Sequence, residues 1–348
     1  MTAVSVDQLV DRRRLAAWLD AHLPGAGAEL DVRRLSSGHN NEILELRRGE
    51  HVWYLRRPAL VPNEPSLADR IVLREFRVLR ALDRTDVPHP NALACCEDLD
   101  VAGSCFYVME RVDGFTPRDP LPAPYDTNGE ARRQLAFELV DAMARLATVD
   151  WRAIGLEGFG KPDGFLDRQV DRWLGALAAH RGRELPGLDE VAAWLRGRVP
   201  PPSPPGIVHG DLHFMNTVFR PGAPARLAAI VDWELATIGD PLLDLGGLLA
   251  HWSEPGEPPR PYDAFFSQRA GLPTRAELVE RYAGRTGRDV DGIAFYVVLT
   301  LFKQACILEG SYARHLSGAS DDPVHATLRE VVPALVVAAL ETARGQSV

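Results

Sequence analysis

The spacing of apolar residues changes character once along this chain, and that change restricts the fold more than any other feature of the sequence. Between Leu30 and Val112 the pattern is strand-like with one helix inserted. Residues 42–46, 52–56 and 105–110 are β-rich, and Arg48-Gly49-Glu50 reads as a hairpin turn between the first two. The helix covers residues 66–82, with Ser66 as its N-cap after Pro65. From about residue 130 the spacing becomes helical. Residues 130–147 carry Leu135, Leu139, Met143 and Leu146 on one face, and a second helical stretch covers 169–196. The run Pro200-Pro201-Pro202-Ser203-Pro204-Pro205 fits neither a helix nor a central strand, so it is an extended connector. Two short apolar strands follow, 206–208 and 227–231, and from Asp240 onward the pattern is helical again, including the apolar stretch 293–308. The expected architecture is α+β and two-lobed: a small β-rich lobe over residues 1–111, a short crossing near 111–114, and a larger, mainly helical lobe over 112–348.

The length, 348 residues, is compatible with this outline, since about 150 residues make a domain. A content of 46% hydrophobic and 25% charged residues excludes disordered and fibrous classes. The net charge of −9, with no long Lys/Arg run, argues against a nucleic-acid partner. Cys95 and Cys96 are neighbours and Cys105 and Cys306 stand alone, so neither a disulfide framework nor CxxC spacing is present. Arg12-Arg13-Arg14 is followed almost at once by Asp20, which leaves no signal-peptide core. The longest apolar run, 293–302, stops at Lys303 at about half the length a bilayer needs. A soluble cytoplasmic protein without a membrane partner is expected.

Two features break their local pattern. On the helix 66–82, Leu67, Ile71, Val78, Leu79 and Leu82 fall on one side and the arginines on the other, yet Glu75 sits in the middle of the apolar side. A carboxylate there needs a cationic partner from a neighbouring element, unless only its stem is buried and its head reaches solvent. The second feature is His209-Gly210-Asp211-Leu212-His213-Phe214-Met215-Asn216, directly after one short strand, with Asp232 ending the next. Asp and Asn are common at turns, so each alone is weak. Together they suggest phosphoryl transfer, in which one carboxylate orients the attacking hydroxyl and oxygen ligands hold Mg²⁺ against nucleotide phosphates. His209-x-Asp211-x-His213 superficially looks like a metal triad, but no helical HxxxH or HExxH spacing supplies further zinc ligands.

These residues, an HxDxxxxN match followed by Ile230-Val231-Asp232-Trp233-Glu234, resemble the aminoglycoside phosphotransferase-like superfamily, which shares the two-lobed protein-kinase-like fold. The continuation from Leu235 to Leu245 is similar to the branch found in kinase-like domains attached to some acyl-CoA dehydrogenases. Leu35 to Asn41, Tyr54 to Pro58 and Phe302 to Gly310 extend the resemblance over about residues 30–315. It implies Asp211 as catalytic base, Asn216 and Asp232 as Mg²⁺ ligands, and Glu75 as partner of a strand cation, here Arg56 where protein kinases have Lys. It further implies ATP or another nucleoside triphosphate as donor, with phosphates under Ser37, Gly38 and Asn41 and adenine on the backbone between Met109 and Val112, including Glu110. His209 and Asp244 are expected to brace the catalytic loop, Asp240 to cap a helix that has Pro241 in its first turn.

The resemblance implies a small-molecule hydroxyl as acceptor, and Lys303 and Gln304 in the apolar C-terminal helix are candidate contacts to it. Lys303 equally fits a pairing with Glu309 or a head that reaches the surface. The branch resemblance favours a hydroxylated acyl or other metabolite; the wider superfamily also phosphorylates aminoglycoside and macrolide antibiotics. A nucleotide-binding pseudokinase is the alternative that Arg56 in place of Lys leaves open. A protein kinase is disfavoured, because Trp233-Glu234 follows Asp232 and no Ala-Pro-Glu segment is present.

Overall fold

Antiparallel pairing is what the alternating N-terminal segments build. The computed structural model describes residues 6–37, 41–58, 65–180, 183–263, 268–320 and 322–345. It divides into two compact units: Met1–Gly114 with Arg152–Leu156 and Ala228–Ala236, and Phe115–Trp151 with Glu157–Leu227 and Thr237–Val348.

The first unit contains α1 (Val6–Leu9), α2 (Arg12–His22), β1 (Leu30–Ser37), β2 (Asn41–Arg48), β3 (His51–Pro58), α3 (Pro65–Leu82), β4 (Ala92–Cys96), α4 (Leu99–Ala102) and β5 (Phe106–Glu110). The sheet order is β1-β2-β3-β5-β4, every neighbour antiparallel. Gly49, in the left-handed region at φ +59, closes the β2–β3 turn. Period-two alternation along β3 sends Trp53 and Leu55 into a core shared with Leu44, Leu46, Phe106, Val108, Leu15 and Leu19. Full burial of Leu15 and Leu19, contributing about 1.5–3 kcal/mol each, holds α2 on the sheet. The adjacent position, Arg56, belongs to the opposite face, where α3 packs on β3 and β5. α3 begins at Pro65, so Ser66 lies inside its first turn rather than capping it: Pro has no N–H to satisfy and its fixed φ suits that turn. The unexpected strands β1 and β4 are a charged edge strand and a five-residue edge strand, both of which lack a long alternation.

The second unit contains α5 (Gly129–Thr148), α6 (Gln169–Ala178), α7 (Leu188–Arg196), β6 (Gly206–Val208) and β7 (Thr217–Phe219). β8 (Leu227–Ile230) carries the chain into the first unit, and the second resumes with β9 (Thr237–Gly239), α8 (Leu242–Ala250), α9 (Arg275–Thr286), α10 (Ile293–Leu316) and α11 (Val324–Ala343). The expected helix 169–196 is thus two helices: α6 ends at Ala178, and α7 starts only after Pro186 and Gly187, the latter left-handed at φ +90. α10 does not stop at Lys303. It runs 24 residues and is long and apolar enough to cross a membrane, but most of it is buried in the unit, against α6, α8 and α11. Lys303 and Glu309 are tolerated inside it because each has a polar partner.

The first unit runs to Gly114 and takes in Asp232, because Ile230 N–H donates to the Pro88 carbonyl at 2.9 Å and Arg74 donates to the Ala236 carbonyl at 3.2 Å.

Candidate functional site

In the first unit, the carboxylate on the apolar face of α3 meets its cation on β3. Glu75 is fully buried, and the Arg56 fork grips it through Nε at 2.6 Å and Nη2 at 2.8 Å. Nη2 also donates to Asp232 Oδ1 at 2.6 Å and lies 3.8 Å from Glu234 Oε2. The left-handed backbone at Asp232, φ +69, is the only one among the described non-glycine residues. Burial works against the Arg56 charge, but Glu75, Tyr107 and Asp232 outweigh it, and the guanidinium stays charged. Asn41, at the start of β2, donates to Glu234 Oε2 at 2.8 Å. Gly38 lies outside the described residues, and Ser37 is the last residue of β1. Within the Met109–Val112 backbone expected to face adenine, the Glu110 N–H donates to the Asn91 carbonyl at 2.9 Å, and Val112 lies beyond the end of β5.

In the second unit, β6 delivers the segment 209–216. Gly210 turns it with φ +88, and a 3-10 turn, Phe214–Asn216, closes it. Asn216 Nδ2 donates to the Asp211 carbonyl at 2.8 Å and to its Oδ2 at 3.1 Å, which leaves Asn216 Oδ1 as an available oxygen. His213 Nδ1 accepts the Met215 N–H at 3.2 Å, so a neutral ring carries its proton on Nε2, 3.4 Å from Asp211 Oδ2. Burial raises the Asp211 pKa, but His213, Lys303 and His209 more than offset this, and the carboxyl is held well below the usual range.

Two buried charges hold the loop backbone. Asp244 on α8 accepts the His209 and Gly210 N–H groups, both at 2.8 Å, and Lys303 on α10 donates to the Gly210 carbonyl at 2.5 Å. Lys303 also lies 5.5 Å from the centre of the Trp173 ring. Glu309 is not its partner: that carboxylate binds Arg183 Nε at 3.2 Å. Asp240 accepts the Leu242 N–H at 3.1 Å, which makes it the side-chain cap of α8, and accepts the Tyr296 hydroxyl at 2.7 Å. A narrow cavity of about 20 Å³ is lined by Asp211, His213, Thr300, Lys303, Gln304 and His251, among others. Sequence reasoning missed His251, a lone histidine in no motif, and weighed His213 only as a metal ligand. Glu234 and Asn41 were read as motif letters, without the hydrogen bond between them.

A model of the phosphotransferase enzyme family matches residues 31–280. Acyl-CoA dehydrogenase family member 11 of Gallus gallus is 33% identical over 341 residues, which cover 93% of this chain and 42% of that protein. The chain thus spans less than half the length of this relative. The crystal structure of a Ralstonia eutropha protein, provisionally named an aminoglycoside phosphotransferase, superposes with a TM-score of 0.78 at 30% identity, over 95% of this chain and 99% of that one. The streptomycin–ATP–APH(2")-IIa ternary complex shares the fold, with a TM-score of 0.57 at 15% identity over 89% of this chain and 91% of that one. A family match across 250 of 348 residues (31 to 280 inclusive), coinciding with the β-rich sheet, the segment 209–216 and Asp232, leaves one assignment: the chain belongs to the phosphotransferase enzyme family, whose members transfer phosphate to hydroxyl groups of small molecules.

Proposed function

We propose that this chain transfers the γ-phosphoryl group of ATP, with Mg²⁺, to the hydroxyl of a small metabolite such as a hydroxyacyl compound. The observation that carries the reading is the Asp211–Asn216 pair, an ionised carboxylate fixed by an amide and facing a cavity. Asp211 orients the acceptor hydroxyl and takes its proton as the bond to phosphorus forms and the γ-phosphoryl leaves ADP. A carboxylate held so far down is a weak base; its work is orientation, which suits a loose transition state in which the proton moves late.

The donor set fits Mg²⁺. Asn216 and Asp232 are the assigned oxygen ligands, the donor type that this ion takes together with waters and phosphate oxygens. Bound there, the ion neutralises charge on the phosphate oxygens. Arg56, fixed by Glu75, is the cation assigned to the phosphates; Ser37, Gly38 and Asn41 are assigned to the loop over them, and the Glu110–Val112 backbone to adenine. The ATP in the streptomycin complex supports a nucleotide donor. The acyl-CoA dehydrogenase relative supports a metabolite acceptor over an antibiotic.

The test is transfer from ATP and Mg²⁺ to sugars, amino alcohols, hydroxyacyl-CoAs, aminoglycosides and macrolides, read as the mass gain of one phosphoryl group. Asp211→Ala is expected to lower turnover by about 10²–10⁴-fold with the unfolding temperature unchanged. A folded, fully active Asp211→Ala overturns the assignment. ATP binding by the wild type without transfer to any acceptor makes the chain a pseudokinase.

A further inference from the structure

Gln304 follows Lys303 on α10 and lines the same small cavity as Asp211. Its amide orientation is fixed by a chain of donors and acceptors. His251 Nδ1 lies 2.7 Å from the Tyr262 carbonyl. A carbonyl only accepts, so Nδ1 carries a proton. Burial lowers the His251 pKa, so the ring is neutral at pH 7 and its Nε2 is a bare acceptor. The atom 2.6 Å from that Nε2 must therefore be a donor, which makes it the Gln304 amide nitrogen. Gln304 Oε1 remains, buried and without a hydrogen-bond partner among the described residues. A buried acceptor left unsatisfied loses its hydration without return, so it calls for a donor.

Among the described residues no protein group supplies one: Lys303 donates to Gly210 and the His251 proton goes to Tyr262. The reacting hydroxyl cannot serve either. It carries a single proton, and that proton is directed at Asp211. The space, about 20 Å³, admits one more small polar group.

We propose that Gln304 determines acceptor specificity: its Oε1 receives a hydrogen bond from a second hydroxyl or amine of the acceptor, carried close to the hydroxyl that Asp211 orients. The acceptor class is then a vicinal diol or amino alcohol in preference to a simple alcohol. This inference rests on the phosphotransferase reading, and the experiment separates the two.

Transfer from ATP and Mg²⁺ is measured for 2,3-dihydroxybutyryl-CoA against 3-hydroxybutyryl-CoA, and for 2-amino-1-butanol against 1-butanol, in the wild type and in Gln304→Met. The wild type is expected to prefer the two-donor member of a pair by about ten- to a hundred-fold in kcat/KM, as befits one hydrogen bond to a buried acceptor. Gln304→Met is expected to bring that ratio close to one. A wild-type ratio near one, or a preference that survives in Gln304→Met, overturns the inference while the phosphotransferase reading stands: the cavity then holds a water. Should Gln304→Met not fold, the wild-type ratio alone decides. No transfer to any of the four removes the reading for these acceptor classes, and the inference with it.

Discussion

Lys303 reaches from α10 to the carbonyl of Gly210, 93 positions earlier in the sequence, with 2.5 Å between nitrogen and oxygen. Its ammonium is buried, a costly place for a charge, and burial lowers its pKa against the opposing pull of Asp211 and Asp244. A lysine in that position holds the turn that presents Asp211 and supplies a positive charge that lowers the Asp211 pKa. Lys303→Met therefore removes a donor and a charge at once. The unfolding free energy is expected to fall by about 1–3 kcal/mol for the unsatisfied carbonyl. With one cation gone, the Asp244 pKa rises along with that of Asp211, and the acid limb of the kcat/KM profile, which Asp244 sets, moves to higher pH. Calorimetry and a pH–rate profile check the two parts; an unmoved acid limb contradicts the second.

Asp244 holds the same residue, Gly210, by its N–H. Burial pushes its carboxyl up to about 6, although the His209 and Gly210 N–H groups favour the ionised form. The folded pKa thus exceeds the ordinary value of 3.8. Stability gained from protonation is fully present below about pH 4 and is lost as pH rises through 6. A shift of about two units corresponds to about 3 kcal/mol across that window. Activity has the opposite sign, because a protonated carboxyl offers the loop one good acceptor instead of two. Turnover is expected to fall below about pH 6 while Asp244's own contribution to stability rises; Asp244→Asn, which cannot ionise, is expected to remove this stability trend. Activity that holds steady from pH 7 to 5 contradicts the assignment.

Much of this was legible because it depends on residue order. The HxDxxxxN spacing, the strand end at Asp232 and the misplaced carboxylate Glu75 are local signals, and each named a side chain that the fold uses. What pairs with what across long separations was not legible. Lys303 faced a plausible local partner in Glu309 six positions on, but the α-helical rotation between them, about 600° or 120° short of two turns, puts them on different faces, and Glu309 binds Arg183. The orphaned Oε1 of Gln304 depends on His251, a residue without a motif, and on the carbonyl of Tyr262 in a loop. Edge strands β1 and β4 were obscure for a related reason: their hydrogen bonds come from neighbours, not from their own alternation.

Glu75 gives the first unit its own test. Glu75→Leu matches the apolar face of α3 in composition, and a sequence argument alone predicts a gain in stability. The structure predicts a loss, because Arg56 stays buried with its bidentate partner gone. Removing one member of such a pair costs about 3–5 kcal/mol; the remaining contact to Asp232 limits the loss toward the lower end. Urea denaturation measures it, and ATP affinity is expected to weaken in parallel, since Arg56 then keeps only its Asp232 contact and loses the bidentate partner that fixes its guanidinium. A more stable Glu75→Leu contradicts the ionic account of this pair.

Gly246 lies in the middle of α8, two residues after Asp244. In an exposed helix, replacing such a glycine with alanine stabilises by about 0.5–1 kcal/mol. Here a Cβ at position 246 would stand 2.5 Å from Tyr296 Cβ and 2.7 Å from its carbonyl carbon on α10. Backbone atoms cannot rotate away, so α8 and α10 must separate. These are the two helices whose Asp244 and Lys303 grip Gly210 by its N–H and its carbonyl. Gly246→Ala is thus expected to destabilise by about 1–3 kcal/mol, the usual cost of overpacking, and to lower kcat by loosening the Asp211 loop. Gly247→Ala is the matched control, since its Cβ would meet nothing closer than Thr300 Oγ1 at 4.0 Å. Thermal unfolding and turnover of the two variants side by side decide it: equal behaviour means that the helix contact at Gly246 does not set the geometry of the loop.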